Sequence, residues 1–475
     1  MIGRRARSLV CATAIALAGA DVGAQSPSRI DAALHALASD AETLPPELAA
    51  DALLRIAGSP RVTENAWKGG LLNQAFFKAY GAHDAYRRST PQSIPQDTRQ
   101  GAALLASAMS LNRVSLQVRA AQLMAFVAPA RARELFEWID LDLAAGSCDD
   151  PLVPAVDEYY SALSLLARST FGNNRTDALR FLELYLWRAR LPSEMPAVAR
   201  ALLRFDPSPS EIAYLEGLLG VILESGAGDA RGFSTSALDI VSRSADFAAA
   251  ELKFGLRGIY LMDSVRDYLI KQMKGPRCTD SVSESMAPSA FNAALGRVGL
   301  LYDVRRIDQQ VAPERLLGTA RIEPFWQTGE ARALYAQMVQ LHGPGKDPPS
   351  LKVRETTEWR NEAERVLSGV EQWAGAMEAS PRDFLAQKSM LFTGLLDLIP
   401  PSALRTKAIR AFVEYLRRAD RDRALESLWF AFVNRLLELS RGNDRRDILA
   451  AFDDSHHPTL AVYAQLERLV PIGAR

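Results

Sequence analysis

The stretch from Cys148 to Pro192 reads CDDPLVPAVDEYYSALSLLARSTFGNNRTDALRFLELYLWRARLP and predicts two helices joined by a tight turn. In its first helix, large apolar residues recur at intervals of three and four, which indicates one buried stripe. The members of the stripe are Val156, Tyr159, Tyr160, Leu163, Leu166 and Ala167. Gly172 ends this helix, Asn174 caps the next and Pro192 stops it. Helices joined by so short a turn lie antiparallel.

The second helix of this pair has a wide apolar surface, formed by Leu179, Phe181, Leu182, Leu184, Tyr185, Leu186 and Trp187. We expect other helices to cover it on both sides, because one partner is too narrow to do so. Helical spacing recurs along the chain, and no sustained alternation of period two indicates strands. We therefore predict an all-α fold: stacked antiparallel helical hairpins that form an α-solenoid, a helical-repeat-like superhelix, with no sheet.

The first residues, MIGRRARSLVCATAIALAGADVGA, have the three parts of a secretory signal peptide. Three arginines precede an apolar core, and the small residues Val22, Gly23 and Ala24 form a cleavage site. We expect residues 1–24 to be removed after Ala24 and the protein to be secreted or periplasmic, in a bacterium. The later sequence has no apolar run long enough to cross a bilayer, so we predict no transmembrane segment.

The charges of the chain are balanced, with 56 basic and 56 acidic residues. Loss of the leader removes three arginines and Asp21, which leaves 53 basic and 55 acidic residues. Partners such as nucleic acid or an anionic membrane attract a clustered positive field. The balance therefore predicts no nucleic-acid partner and favours another protein or a peptide.

Beyond the leader the chain has two cysteines, Cys148 and Cys278. Since an exported protein meets an oxidising compartment, we predict a disulfide between them rather than two separate thiols. A zinc site is disfavoured, because neither cysteine has a second cysteine or a histidine at ligand spacing.

Helix signals divide the mature chain into N-terminal helical layers over residues 25–205, middle helices with long loops over 211–341, and C-terminal helical hairpins over 352–475. One continuous solenoid is also compatible with this pattern. The stretch from Glu251 to Lys274 predicts the longest helix, because apolar residues recur every three or four positions throughout it.

The long loop around Arg321, Glu323, Phe325 and Trp326 is the best candidate for a binding loop. Long loops in helical proteins are often functional, and an aromatic residue among charges is a usual component of a binding spot. The alternative is that Trp326 plugs the loop down onto the helices. The sequence does not separate these two interpretations.

Two polar clusters resemble metal sites. Asp453, His456 and His457 combine a carboxylate with imidazoles at ligand spacing, but a cap and turn before Pro458 explains them better. The acidic group Asp149, Asp150, Asp157 and Glu158 is typical of calcium ligands, yet carboxylates also gather at helix N-termini for electrostatic reasons. We predict no metal site at either cluster.

No HExxH, GxSxG or Walker-type motif occurs in the sequence, and we predict no catalytic residue and no cofactor. Glu158 beside Tyr159 and Tyr160 fits acid catalysis, but both tyrosines belong to the buried stripe. Our leading hypothesis is an exported scaffold that binds a protein or peptide. The alternatives are an exported glycan hydrolase or lyase on an α/α scaffold, and a cell-envelope assembly component. A cavity that holds two carboxylates within hydrogen-bonding reach would favour an enzyme.

Overall fold

The computed structural model describes residues 29–89, 94–141, 143, 146–225, 229–279, 282–308, 313–326, 329–345, 347–375, 380–419 and 425–470. Helices make up most of this part of the chain, which confirms the all-α prediction. The predicted leader, residues 1–24, lies outside the described residues. Among the described residues, no helix is long and apolar enough to cross a membrane.

The helices of the first part of the chain are α1 (Arg29–Glu42), α2 (Pro46–Gly58), α3 (Asn65–Lys78), α4 (Arg99–Ala108), α5 (Arg113–Met124), α6 (Pro129–Glu137), α7 (Asp157–Ser169), α8 (Arg175–Leu186), α9 (Met195–Phe205), α10 (Pro209–Ser225), α11 (Ala230–Leu252), α12 (Ile259–Lys274) and α13 (Val282–Arg297). Those of the second part are α14 (Gly329–His342), α15 (Leu351–Arg354), α16 (Thr357–Gln372), α17 (Pro381–Leu398), α18 (Ala403–Ala419), α19 (Glu426–Leu439), α20 (Arg445–Asp454) and α21 (Pro458–Leu469).

Two short strands, β1 (Arg87–Ser89) and β2 (Leu152–Pro154), form an antiparallel pair. The prediction of no sheet was therefore wrong in this detail. Each strand has only three residues, which is too short for the alternation that identifies strands in a sequence. The pair lies beside α4 and just before α7, so it ties two distant loops together.

A row of helices runs through the first part of the chain, in which α3, α5, α7, α9, α11 and α13 contact one another in that order. The helices between them pack against this row. In the second part, α16 contacts α17 and α18, and α18 contacts α19 and α20. Large buried side chains such as Phe136, Phe247 and Phe412 fill the space between the layers.

The first and last helices meet, because α21 packs against both α1 and α2. The Tyr463 hydroxyl of α21 donates to Asp51 of α2 at 3.0 Å. Arg55 pairs with the same carboxylate at 2.7 Å, and Arg119 of α5 pairs with it at 3.0 Å. Burial on its own would raise the pKa of Asp51, but the two arginines outweigh it and lower that pKa. The buried carboxylate therefore stays ionised and joins the two ends of the fold.

Helix α8 differs from its prediction. Leu184 is 48% exposed and Trp187 is 50% exposed, so the described residues leave much of this face of α8 uncovered. The opposite face is buried, since Phe136 of α6 contacts the ring of Tyr185 with centroids 5.1 Å apart. The width of the apolar surface predicts that helices cover α8 on both sides, and this prediction was wrong.

The stretch from Glu251 to Lys274 is not one helix. Helix α11 ends at Leu252, and α12 begins at Ile259 after a turn. Gly255 adopts φ +75° in this turn, a conformation that glycine reaches without strain and that interrupts a helix. Apolar spacing continues across the turn, and for this reason the sequence predicted a continuous helix.

Candidate functional site

Two adjoining cavities open beside strand β1, with volumes of about 320 and 330 Å³. They share Tyr86, Arg87 and Asn112, so together they form one depression that we call the Tyr86 groove. Its first cavity is lined by residues 82–87, 112–114, 140, 141, 143 and 154. Its second is lined by residues 86–89, 104, 107, 108, 110, 112, 115, 155, 157 and 158. Volumes of this size are within the usual range for ligand sites.

Tyr86 separates the two cavities and is held in place. Its hydroxyl accepts a hydrogen bond from the backbone N–H of Tyr159, in the first turn of α7, at 3.4 Å. Burial first, and then the neighbouring Glu158 carboxylate, raise the pKa of Tyr86. The phenol is therefore neutral at physiological pH.

Arginines and carboxylates face each other along the groove. Arg87 pairs with Asp150, and Arg88 pairs with Asp157 at 3.5 Å. Asp157 also pairs with Arg200 of α9. Two members of the acidic group that resembles a calcium site, Asp150 and Asp157, are therefore engaged in ion pairs. Among the described residues there is no group of three or more metal-ligating side chains.

Two polar groups of the groove have capacity to bind a ligand. The Nε of Arg88 is buried and has no hydrogen-bond partner in the described structure. Glu158 is exposed and accepts a weak hydrogen bond from the Ser110 hydroxyl at 3.4 Å. A buried donor without a partner is costly, so a movement of the Arg88 side chain that gives its Nε an acceptor would be stabilising.

The floor of the groove is rigid. Asn112 is buried and caps α5, since its Oδ1 accepts from the Ser115 N–H at 2.9 Å. Its Nδ2 donates to the Ser115 hydroxyl at 3.0 Å. Both polar ends of the amide are therefore used within the protein, and Asn112 supports the groove rather than a ligand.

The two cysteines lie at disulfide distance, with sulfurs 2.01 Å apart and Cα atoms 5.5 Å apart. Cys148 lies four residues before β2, and Cys278 lies four residues after α12. The pair therefore fastens the loop that leads into the Tyr86 groove to the end of α12, as the predicted disulfide requires.

The sequence-predicted binding loop belongs to an extended segment, residues 314–326, which we call the strap. Its backbone N–H groups donate to three separate parts of the chain: Glu314 to the Lys274 carbonyl at 2.8 Å, Arg321 to the Asp149 carbonyl at 3.2 Å, and Phe325 to the Asp97 carbonyl at 3.1 Å. The strap therefore bridges α12, the Cys148 loop and the start of α4.

The four predicted residues of the loop have different surroundings. Phe325 is 7% exposed, and its carbonyl accepts from Gln387 of α17 at 2.9 Å. Trp326 stacks on Tyr335 with ring centroids 4.6 Å apart. Glu323 pairs with Arg99, and Arg321 lies 4.0 Å from Asp149. Both aromatic rings thus pack against helices, and none of the four residues lines the Tyr86 groove.

The residues of the weak metal candidate are engaged in other contacts. Asp453 pairs with Arg468 of α21 at 2.5 Å. His456 has φ +51° in the turn between α20 and α21. The His457 ring lies 5.7 Å from the Trp429 ring. These contacts agree with the interpretation as a cap and turn.

Two buried carboxyl groups of the described residues lie close to the first turn of α12. Glu216 of α10 and Glu251 of α11 are 9% and 1% exposed, Glu216 accepts from the Leu261 N–H at 2.9 Å, and burial, followed by the Glu216 carboxylate, raises the pKa of Glu251. Neither side chain lines the Tyr86 groove. The pair is packed where α10, α11 and α12 meet.

Sequence reasoning missed the Tyr86 groove, because its walls come from several separate loops and helix ends. One signal was present, namely the run from Tyr86 to Arg88, an aromatic residue and two arginines in a polar loop. In comparisons with known proteins, no family model, no curated protein and no solved structure matches this chain.

Proposed function

We propose that this protein is an exported scaffold that binds an extended polypeptide segment in the Tyr86 groove. The observation that carries the proposal is the meeting of two ligand-sized cavities on either side of Tyr86. In an extended polypeptide every second side chain points to the same face, so residues i and i+2 of one segment can fill two adjoining cavities.

The charges of the groove favour a peptide that carries both signs. Arg87 and Arg88 face Asp157 and Glu158 across the second cavity. A peptide supplies a carboxylate for one wall and a cation for the other. We expect binding to weaken as salt is added, because part of the groove is exposed.

The scaffold belongs to the same proposal. Each helix of the row from α3 to α13 contacts the next, as expected for stacked antiparallel hairpins. Export is proposed from the leader over residues 1–24, and a disulfide between Cys148 and Cys278 is compatible with an oxidising compartment.

A second candidate function, binding of a glycan, is favoured by one observation on the outer face of α8. The exposed side chains of Trp187 and Tyr214 both donate to Oε1 of Glu183, at 3.3 and 2.6 Å. This fixes two aromatic rings beside a carboxylate, the residue types that the glycan hypothesis requires. The Trp187 and Tyr214 rings lie on the open surface, whereas the Tyr86 groove offers two cavities to a ligand, and we therefore favour the peptide.

A phage-displayed library of random dodecapeptides tests the proposal. Peptides selected on the protein are synthesised with a fluorophore, and their affinities are measured by fluorescence polarisation. We expect Glu158→Gln and Arg88→Gln to weaken binding at least tenfold, about 1.4 kcal/mol each. The matched control variants are Glu224→Gln and Arg332→Gln, two exposed residues outside the groove. Equal affinity for all four variants would contradict the proposal.

A further inference from the structure

The carboxyl pair of Glu216 and Glu251 lies at the N-terminus of α12. Oε1 of Glu216 accepts a hydrogen bond from the Leu261 N–H at 2.9 Å, and Oε2 of Glu251 lies close to Gly258, the residue that precedes the same helix. The pair therefore connects α10, the end of α11 and the first turn of α12. The turn over residues 253–258 lies between α11 and α12, and its Phe254 and Leu256 N–H groups donate to the Glu251 carbonyl at 2.9 and 3.1 Å.

The surroundings of the pair are tightly packed. A Cβ atom at Gly258 would lie 2.6 Å from Oε2 of Glu251 and 2.5 Å from the Cβ of Ala248. Glycine at this position is what allows the turn to approach the carboxyl group so closely. Because the site is packed and nearly inaccessible, bulk solvent does little to stabilise a charge there.

Other charged groups on the surrounding elements have partners elsewhere or are exposed. Arg200 and Arg204 of α9 contact Asp157 and Ser161. Arg243 of α11 pairs with Asp246, Arg257 of the turn pairs with Asp303, and Arg266 of α12 pairs with Asp267. Lys253, Asp263 and Arg297 are exposed. None of them pairs with Glu216 or Glu251. Two buried carboxylates this close together repel each other when both are ionised, which favours a form in which the pair holds one proton.

We propose that Glu216 and Glu251 form a proton-dependent latch that keeps the 253–258 turn and the start of α12 closed. With one proton shared, Glu251 donates to Glu216, which accepts from Leu261. When that proton is lost, two negative charges repel each other inside the fold, and the turn opens so that water can reach them.

The direction of the pH dependence follows from the proton balance. Burial first, and then the Glu216 carboxylate, raise the pKa of Glu251 to about 8, whereas an exposed glutamate has the ordinary value of 4.5. Between these two values the closed latch binds a proton that the open one releases. The stabilisation is therefore complete below pH 4.5 and is lost as the pH rises through about 8.

Limited proteolysis with trypsin tests the latch, since Lys253 and Arg257 are exposed cleavage sites within the turn. Cleavage of the intact protein at these two bonds is followed by mass spectrometry from pH 6 to pH 9, relative to casein cleaved under the same conditions. We expect the relative rate to rise by up to about tenfold per pH unit up to pH 8 and then to level off.

The variant Glu251→Gln mimics the protonated side chain, because its amide can still donate to Glu216. We expect slow cleavage of this variant at every pH, and a flattened profile for Glu216→Gln. The control Glu224→Gln, at the exposed end of α10, keeps the wild-type rise. A flat wild-type profile, or the same rise in Glu251→Gln, overturns the proposal. Circular dichroism of each variant at pH 6 shows that the helices are retained.

Discussion

The strap lies outside the helices, whereas the Tyr86 groove combines a loop and β1 with parts of α4, α5 and α7, and the polar groups of the two regions are used differently. In the strap, the N–H groups of Arg321, Glu323 and Phe325 donate to Asp149, Gln100 and Asp97. In the groove, Arg88 keeps a buried Nε without a partner among the described residues, and Glu158 is exposed. The strap uses these hydrogen bonds within the fold, whereas Arg88 and Glu158 are the groups on which the proposed peptide site depends.

This difference shows that a long loop is not by itself a binding loop. Residues 314–326 connect parts of the fold that are distant in sequence, and the buried Phe325 ring adds apolar contact. A segment used in this way contributes to stability. Changes near the strap should therefore alter the free energy of unfolding, and changes in the groove should alter peptide affinity.

The largest effect is expected from the disulfide, which anchors the Cys148 loop beneath the strap. Replacement of Cys148 and Cys278 by serine removes a cross-link with a sequence separation of 130 residues. In the chain-entropy model this lowers the free energy of unfolding by up to about 5 kcal/mol. Guanidinium denaturation of the variant and of the wild type, with and without reductant, measures the difference. A wild type unaffected by reductant would contradict the cross-link.

The next largest effect is expected for Phe325→Ala. The buried ring leaves a cavity against the helices, and we expect the free energy of unfolding to fall by about 3 kcal/mol. Peptide affinity should not change at concentrations where the variant is folded. The control is Tyr302→Ala, whose side chain is 100% exposed, and which should unfold like the wild type. Denaturation and fluorescence polarisation on the same samples separate the two effects.

A smaller effect is expected for Arg99→Ala. Arg99 pairs with Asp383 at 2.8 Å and with Glu323 of the strap, but its side chain is 55% exposed. Solvent screening limits the contribution of such pairs, so we expect a loss of about 1 kcal/mol that decreases in high salt. A loss that is independent of salt would show that the ion pairs are not its source.

The smallest change in stability is expected for Glu158→Gln, within about 0.5 kcal/mol, because this residue is on the surface of α7. The same substitution should nevertheless weaken peptide binding at least tenfold, which is a larger effect than its effect on stability. This outcome separates the groove from the strap most sharply. A Glu158→Gln variant that loses stability but keeps its peptide affinity would show that Glu158 supports the fold and does not bind the peptide.

Much of the helical architecture could be predicted from local signals. Asn174 caps α8 as expected, since its Oδ1 accepts from the Asp177 N–H at 3.2 Å. The break at Gly255 could not be predicted, because apolar spacing continues across it. The exposed face of α8 could not be predicted either, because apolar spacing indicates a helix and does not show which residues cover it. The groove could not be predicted either, since Tyr86, Asn112 and Glu158 come together only in the folded chain.

The most direct test of the account is to map where a selected dodecapeptide binds. A benzoylphenylalanine within the peptide is photo-crosslinked to the wild-type protein, and the modified residues are identified by mass spectrometry. We predict crosslinks within residues 82–89, 104–115 and 154–158, the walls of the Tyr86 groove. Crosslinks to residues 321–326 of the strap, or to the outer face of α8, would contradict it.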